Sequence, residues 1–298
     1  MKVTILGNNS ALPAHGRYPT AQVVNISEQL YLIDCGEGTQ MRLQQFDVKS
    51  SRIDHIFISH IHGDHYLGLV GLISSQSLLG RLRALYIYCP AKIKEYITMQ
   101  MPWSLGFELH FYILSDSEHT VLLETPKVQI SCFPVYHSVP THGFLFVEKK
   151  RKRVLLPNKL KDYEIPKYFY PRLAEGEDYV NNQGETILNE WVTEAGHLPK
   201  RYAYCADTRF APEILTTIHG VDLLYHETTY LSDNHEKAKL RFHTTTIEAA
   251  TLAKEAQVKS LLIGHFSSKY KDLNPFLSES QSIFNDTMLA IEGQTFEV

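Results

Sequence analysis

Residues 53–79 constrain the fold more than any other stretch. Ile53-Asp54-His55-Ile56-Phe57-Ile58 is rich in β-branched residues and reads as a buried strand. Leu67 to Leu79 reads as an amphipathic helix ended by Gly80. Between them stands Ser59-His60-Ile61-His62-Gly63-Asp64-His65, with four metal-ligand-type side chains in six positions. In an extended turn, residues two apart point to the same side, so His60 and His62 converge. Asp64 and His65, entering the helix, point elsewhere, and Gly63 permits the reversal. A strand that discharges polar residues into a helix start is a unit of a layered α/β fold.

The rest of the chain repeats the alternation. Strand-like runs occur at Val3–Leu6, Leu30–Ile33, Leu85–Tyr88, Val128–Val135, Gly143–Val147, Tyr202–Cys205, Val221–Tyr225 and Val258–Ile263. Helical spacing appears over Thr39–Phe46, after Pro90 with Ile93 and Ile97, and over Thr244–Ala256. One segment departs from the pattern. Residues 148–199 carry Lys149-Lys150-Arg151-Lys152-Arg153 followed by scattered prolines and glycines, with weak apolar periodicity. We expect a single domain over 1–298, with 148–199 an insertion projecting from it rather than a separate folded domain.

Composition narrows the class. With 298 residues and 44% hydrophobic content the chain can bury a large core, which excludes whole-chain disorder. A net charge of −4 argues against a sequence-independent polyanion binder, so any nucleic-acid site has to be a local basic patch. Cys35, Cys89, Cys132 and Cys205 form no C-x-x-C pair and read as reduced core thiols. Neither a secretory leader nor a membrane-length apolar run is present, so a soluble, cytoplasmic protein is expected.

The chain has 15 histidines, and several stand where chemistry is expected. His137, Asp207 and His265 each follow an apolar run, at strand exits along one sheet edge. Together with the first cluster they complete two sites: His60, His62 and His137 in one, Asp64, His65 and His265 in the other, with Asp207 bridging. Imidazole and carboxylate suit Zn²⁺ and similar divalent ions, and such sets, unlike cysteine sets, usually leave a position open for catalysis.

These residues resemble the metal motif of the metallo-β-lactamase superfamily. Further segments are similar to the ribonuclease Z family: Leu6-Gly7-Asn8-Asn9-Ser10 with Asp34-Cys35-Gly36-Glu37-Gly38-Thr39-Gln40, then His137-Ser138-Val139-Pro140-Thr141-His142-Gly143, His226-Glu227-Thr228-Thr229, His243-Thr244-Thr245 and Gly264-His265-Phe266-Ser267. The resemblance implies a four-layer αββα sandwich with two Zn²⁺ per subunit. It implies a zinc-dependent endoribonuclease that removes the 3′ trailer from precursor tRNA, leaving a 3′-hydroxyl on the tRNA and a 5′-phosphate on the trailer. Asp64 would orient or deprotonate the water, and His243, held by Glu227, would donate a proton to the departing oxygen; the pair has the alternative role of buttressing metal ligands. The resemblance also implies a homodimer in which the insertion is an RNA-binding arm. Lys149, Lys150, Arg151, Lys152, Arg153, Lys159, Lys161 and Lys167 are its candidate contacts, interleaved with Tyr163, Tyr168, Phe169 and Tyr170. Those aromatics either stack on exposed bases or pack on RNA, or pack the arm against its own core or a partner subunit. The family's Gly-Pro-rich arm tip is replaced here by Ile165-Pro166-Lys167-Tyr168-Phe169-Tyr170. Two other readings stay open: a hydrolase of a small phosphodiester, thioester or sulfate ester on the same metal site, and a metal-stabilised RNA scaffold without turnover.

Overall fold

The computed structural model describes residues 1–298 apart from Pro102, Trp103, Ser117, Arg151 and His197. The chain divides into two compact units, one of residues 1–147 with 200–298 and one of residues 148–199.

The larger unit is built on two seven-stranded sheets. Sheet one contains β1 (Lys2–Gly7), β2 (Ala21–Ile26), β3 (Gln29–Ile33), β4 (Ile53–Phe57), β5 (Leu85–Cys89) and β6 (Leu109–Ile113). Sheet two contains β7 (Thr120–Glu124), β8 (Val128–Tyr136), β9 (Pro140–Glu148), β10 (Arg201–Cys205), β11 (Leu223–Glu227), β12 (Ser260–Gly264) and β13 (Thr287–Leu289). The last strand, β14 (Thr295–Glu297), returns to pair antiparallel with β1. The orders are β14-β1-β2-β3-β4-β5-β6 and β13-β12-β11-β10-β9-β8-β7. In sheet one β3, β4, β5 and β6 run parallel, and in sheet two β10, β11, β12 and β13 do. The C-terminal ends of parallel neighbours share an edge, which is where ligand-bearing exits accumulate.

Period-2 alternation explains the layering. One face of each sheet supplies a cluster that joins both: Val3, Ile5, Val24 and Phe57 from sheet one with Ile130, Phe144, Tyr202 and Leu262 from sheet two. The other face of sheet one buries Ile56 and Ile87 with Leu43, Leu72, Ile73, Ile93 and Ile97 from helices Thr39–Gln45, Leu69–Leu78 and Ala91–Gln100. The other face of sheet two buries Ala203, Leu224 and Leu261 with Ala250, Ala253 and Phe276 from helices Thr246–Glu255 and Asn274–Ile283. The result is a four-layer αββα sandwich. No helix among the described residues is long and apolar enough to cross a membrane. All four cysteines are buried and free.

The smaller unit holds a core that its weak periodicity does not announce: Leu160, Ile165, Phe169, Leu173, Tyr179, Ile187 and Val192. Two short antiparallel pairings, Val154–Leu155 with Thr193–Glu194 and Tyr179–Val180 with Thr186–Ile187, frame it. Phe169 and Tyr179 meet edge to face at 4.9 Å, so part of the interleaved aromatic set packs this unit internally.

Candidate active site

The ligand-type residues sit at strand exits. His60 and His62 follow β4, and Asp64 and His65 lie in a single helical turn, Gly63–Tyr66. His137 follows β8, Asp207 follows β10 and His265 follows β12. The Gly63–Tyr66 turn is pinned to the loop after β3 by backbone bonds from Cys35 N to the His65 carbonyl and from Gly68 N to the Cys35 carbonyl, each 2.8 Å. A Cβ on Gly36 would stand 2.4 Å from the Asp64 carbonyl oxygen, so this approach requires glycine.

The fold brings all seven ligand candidates together. Ligand atoms of His60, His62, His137 and Asp207 lie within 4.8 Å of one another, and so do those of Asp64, His65 and His265. Asp207 divides its oxygens between the groups. Its Oδ1 lies 3.4 Å from His65 Nε2 and 3.2 Å from His265 Nε2; its Oδ2 lies 3.7 Å from His60 Nε2 and 3.8 Å from His137 Nε2. Asp64 Oδ2 is 3.5 Å from His65 Nε2 and 3.4 Å from His265 Nε2. Donor atoms sharing one tetrahedral ion at ~2.0–2.2 Å stand about 3.4 Å apart, so this spacing suits a shared cation better than direct hydrogen bonds.

Hydrogen bonding fixes the tautomers. Tyr204 donates its hydroxyl to Asp34 Oδ2 at 2.6 Å, and Ser59 donates its Oγ hydrogen to the same oxygen at 2.9 Å. Ser59 Oγ is then an acceptor for His60 Nδ1 at 3.0 Å. His65 Nδ1 donates to Asp34 Oδ2 at 2.7 Å, and His137 Nδ1 to the Phe242 carbonyl at 2.8 Å. Thr229 gives its hydroxyl hydrogen to Glu227 Oε2 at 2.7 Å and accepts from His265 Nδ1 at 2.9 Å. Four imidazoles therefore spend Nδ1–H outward and turn Nε2 toward the cluster. His62 instead presents Nδ1, 3.1 Å from His60 Nε2 and 3.2 Å from His137 Nε2. Three lone-pair nitrogens at that separation repel unless a cation lies among them. His65 Nε2 and Asp207 Oδ1 are buried without a hydrogen-bond partner, which an ion would supply. The residues present thus fit a pair of divalent ions.

The electrostatics agree. Burial holds His60, His62 and His137 below the ordinary imidazole range, in the neutral form that ligates. Burial opposes charge on His65 as well, but Asp207, Asp64 and Asp34 outweigh it and pull that imidazole well above its usual range. A field that draws a proton there also draws a metal cation. Burial alone would raise Asp64 and Asp207; the surrounding imidazoles hold both far below the usual carboxylate range.

Beside the cluster stands His243, whose Nδ1 donates to Glu227 Oε1 at 2.9 Å. Glu227 is fully buried and also accepts from Thr208 N, Thr244 N, Thr229 N and the Thr229 hydroxyl. Burial would lower the His243 pKa, yet the Glu227 carboxylate more than offsets it and raises it to about 9. The chain is fixed immediately after His243 by a capping box between Thr245 and Glu248. His243 Nε2–H is left to face the cavity, which measures about 520 Å³ and is lined by His62, Asp64, His137, Asp207 and His243 among others. Asp34, Phe242 and His265 all adopt left-handed backbone, with φ of 54°, 55° and 59°.

Sequence reasoning assigned no role to Asp34, Ser59, Thr229 or Tyr204. Asp34 lies in the Asp34-Cys35-Gly36 segment, Ser59 opens the histidine cluster and Thr229 closes the His226-Glu227-Thr228-Thr229 segment, which were the available signals; Tyr204 carried none. The candidate RNA contacts divide. Lys150, Lys159, Lys161 and Lys167 are exposed, whereas Lys149 is half-buried. Lys152 pairs with Glu175 at 2.7 Å, and Arg153 donates Nε to Thr193 Oγ1 at 2.6 Å. Arg151 lies outside the described residues.

A family model described as anti-Pycsar protein Apyc1 matches residues 1–103. The protein named ribonuclease Z from Phocaeicola vulgatus is 42% identical over 294 residues, covering 98% of this chain and 95% of its own length. The ribonuclease Z of Porphyromonas gingivalis strain W83 is 42% identical over 99% of this chain and 98% of its own. Among solved structures, the short form of human tRNase Z matches with a TM-score of 0.73 at 24% identity, over 100% of this chain and 99% of that one. The metallo-β-lactamase fold protein YhfI from Bacillus subtilis matches at 0.71 and 18%, over 100% and 99%. Those structures carry the metallo-β-lactamase fold, and the full-length identity to curated relatives carries the family: the chain belongs to the ribonuclease Z family.

Proposed function

We propose that this protein is a zinc-dependent endoribonuclease that hydrolyses one phosphodiester of precursor tRNA, releasing the 3′ trailer. The observation that carries the reading is the meeting of seven ligand-type side chains with the Glu227–His243 pair at one rim of the sandwich. His60, His62 and His137 would hold one Zn²⁺, Asp64, His65 and His265 the other, and Asp207 would reach both. When bound, such a pair acidifies water and offsets charge on phosphoryl oxygens.

The chain's own groups do the rest. Asp64 orients the attacking water, whose oxygen forms the new bond to phosphorus and whose proton passes to solvent. Its Oδ2 is aimed by the Ala11 amide at 2.7 Å. The bond from phosphorus to the 3′-oxygen of the tRNA breaks, and His243 gives that oxygen its Nε2 proton. Glu227 keeps His243 oriented and stabilises its charged form. The products are a tRNA with a 3′-hydroxyl and a trailer with a 5′-phosphate. The 148–199 segment serves as the RNA-binding arm of the sandwich domain, with exposed Lys150, Lys159, Lys161 and Lys167 as phosphate contacts, and the enzyme works as a homodimer in the cytoplasm.

The test is incubation of the purified protein with a 3′-extended precursor tRNA and, in parallel, with bis-p-nitrophenyl phosphate, with both product ends mapped and metal content measured. Cleavage after the tRNA body, lost on chelation and restored by Zn²⁺, is expected. Turnover of the small diester with no cleavage of the precursor would overturn the tRNA assignment.

A further inference from the structure

Phe242 carries a bulky ring at the left-handed cap of helix His235–Leu240, where its N bonds to the Lys239 carbonyl and His243 N to the Ala238 carbonyl, a position that favours glycine. It lies between helix His235–Leu240 and His243 and lines the cavity together with Leu240 and Arg241. Its backbone is held at φ 55°, which glycine adopts freely and a bulky side chain does not. The local structure needs the Phe242 carbonyl, which accepts from His137 Nδ1 at 2.8 Å. Phe242 itself is left 42% exposed. A glycine would give the same carbonyl with less strain. The aromatic ring at the mouth of the cavity is thus retained against a local backbone preference.

The neighbouring groups indicate what covers it. Arg241, the preceding residue, lines the same cavity with its guanidinium hydrogen-bonded toward Tyr230, and the ligand candidates His62, Asp64, His137 and Asp207 line it together with His243. An exposed ring on the wall of a cavity that also carries an arginine, outside a phosphodiester-cleaving centre, matches an unpaired nucleotide: the base has a flat apolar face to stack, and the flanking phosphate is anionic. On the mechanism above, His243 protonates the departing 3′-oxygen, so the nearest base belongs to the nucleotide that carries that oxygen.

We propose that Phe242 is a stacking platform for the base of the last nucleotide of the tRNA body, and that it sets the phosphate in register with His243. The proposal rests on the tRNA reading of the site.

The test is a two-by-two comparison on the full-length, metal-loaded protein. Wild type and Phe242→Gly each cleave a 3′-extended precursor tRNA carrying either a normal or an abasic nucleotide at the position before the cut. Wild type is expected to lose roughly 10-fold or more in kcat/KM on the abasic RNA. Phe242→Gly should already be slower by a similar factor on the normal RNA and lose nothing further on the abasic one. Phe242→Trp should restore the dependence on the base. Relief of the left-handed strain predicts that Phe242→Gly melts no lower than wild type. Equal losses for wild type and Phe242→Gly on the abasic RNA overturn the proposal. So does a change of oligomeric state in Phe242→Gly without any change in base dependence, because the ring would then be covered by a second copy of the chain. Failure of wild type to cleave the normal precursor defeats the tRNA reading instead. If Phe242→Gly does not fold, Phe242→Ala enters the same comparison.

Discussion

The rim of the sandwich and the 148–199 unit handle charge in opposite ways. At the rim, charges are buried and each is held by several neighbours; Glu227 alone accepts from five donors. In the smaller unit a core of seven side chains supports a surface of exposed lysines, with ion pairs open to water such as Lys152–Glu175. The first arrangement suits chemistry, where groups must not reorganise during the reaction. The second suits adaptable, screened attraction to a polyanion. Damage at the rim should therefore remove turnover, and damage to the lysines should weaken encounter.

The largest effect is expected at Asp207, whose two oxygens face both ligand groups. Asp207→Ala should reduce precursor cleavage by at least roughly 10²–10³-fold and lower metal content in the same sample. Next comes His243→Ala, with kcat down by about 10²-fold and metal content unchanged. Full cleavage by that variant would leave the pair only a buttressing role. Asp34→Asn should follow, because it weakens the acceptor that holds His65. Metal affinity by competition with a chelator should fall by about 10–100-fold, with a melting temperature that converges on wild type at saturating metal.

The comparison sharpens at the smaller unit. Lys150, Lys159, Lys161 and Lys167 changed together to Ala should raise KM for precursor tRNA and flatten its salt dependence, with kcat preserved. A kcat loss equal to the rim variants would erase the distinction. The smallest effect is predicted for Asp222, just before the N-terminal end of β11, the strand that carries Glu227 at its other end. Burial would raise its carboxyl, but Lys259, bonded at 2.7 Å, and the Arg201 amide, at 2.8 Å, lower it below the ordinary range. Its contribution is present above the unfolded-state carboxylate pKa and fades as pH falls through the lower folded value. Asp222→Asn should cost at most about 1 kcal/mol at neutral pH and progressively less below pH ~4, as measured by denaturant unfolding.

Much of the rim was legible because its residues are rare types at strand exits, and an exit follows directly from where an apolar run stops. The strands that were hard to read have polar interruptions. Ala21–Ile26 contains Gln22 and Asn25, yet Gln22 is buried because it accepts the Tyr202 hydroxyl from the other sheet at 2.6 Å. Leu109–Ile113 and Thr120–Glu124 are the end strands of their sheets, half-exposed and mixed in character. The roles of Ser59, Thr229 and Tyr204 stayed hidden because a hydroxyl acquires its task only from partners distant in the chain. The core of the 148–199 unit was obscured by its irregular spacing, which follows short turns rather than a period.

The ligand set draws on both sheets: four side chains come from the exit of β4 in one, and three from the exits of β8, β10 and β12 in the other. Ions seated there would act as a clasp between the two halves of the sandwich. Stripping them should loosen one border of the molecule first, with amide exchange quickening around Gly63–Tyr66 and Gly264–Phe266 while the far ends of the same strands stay protected. Metal supply would then govern how long the folded protein lasts as well as how fast it works.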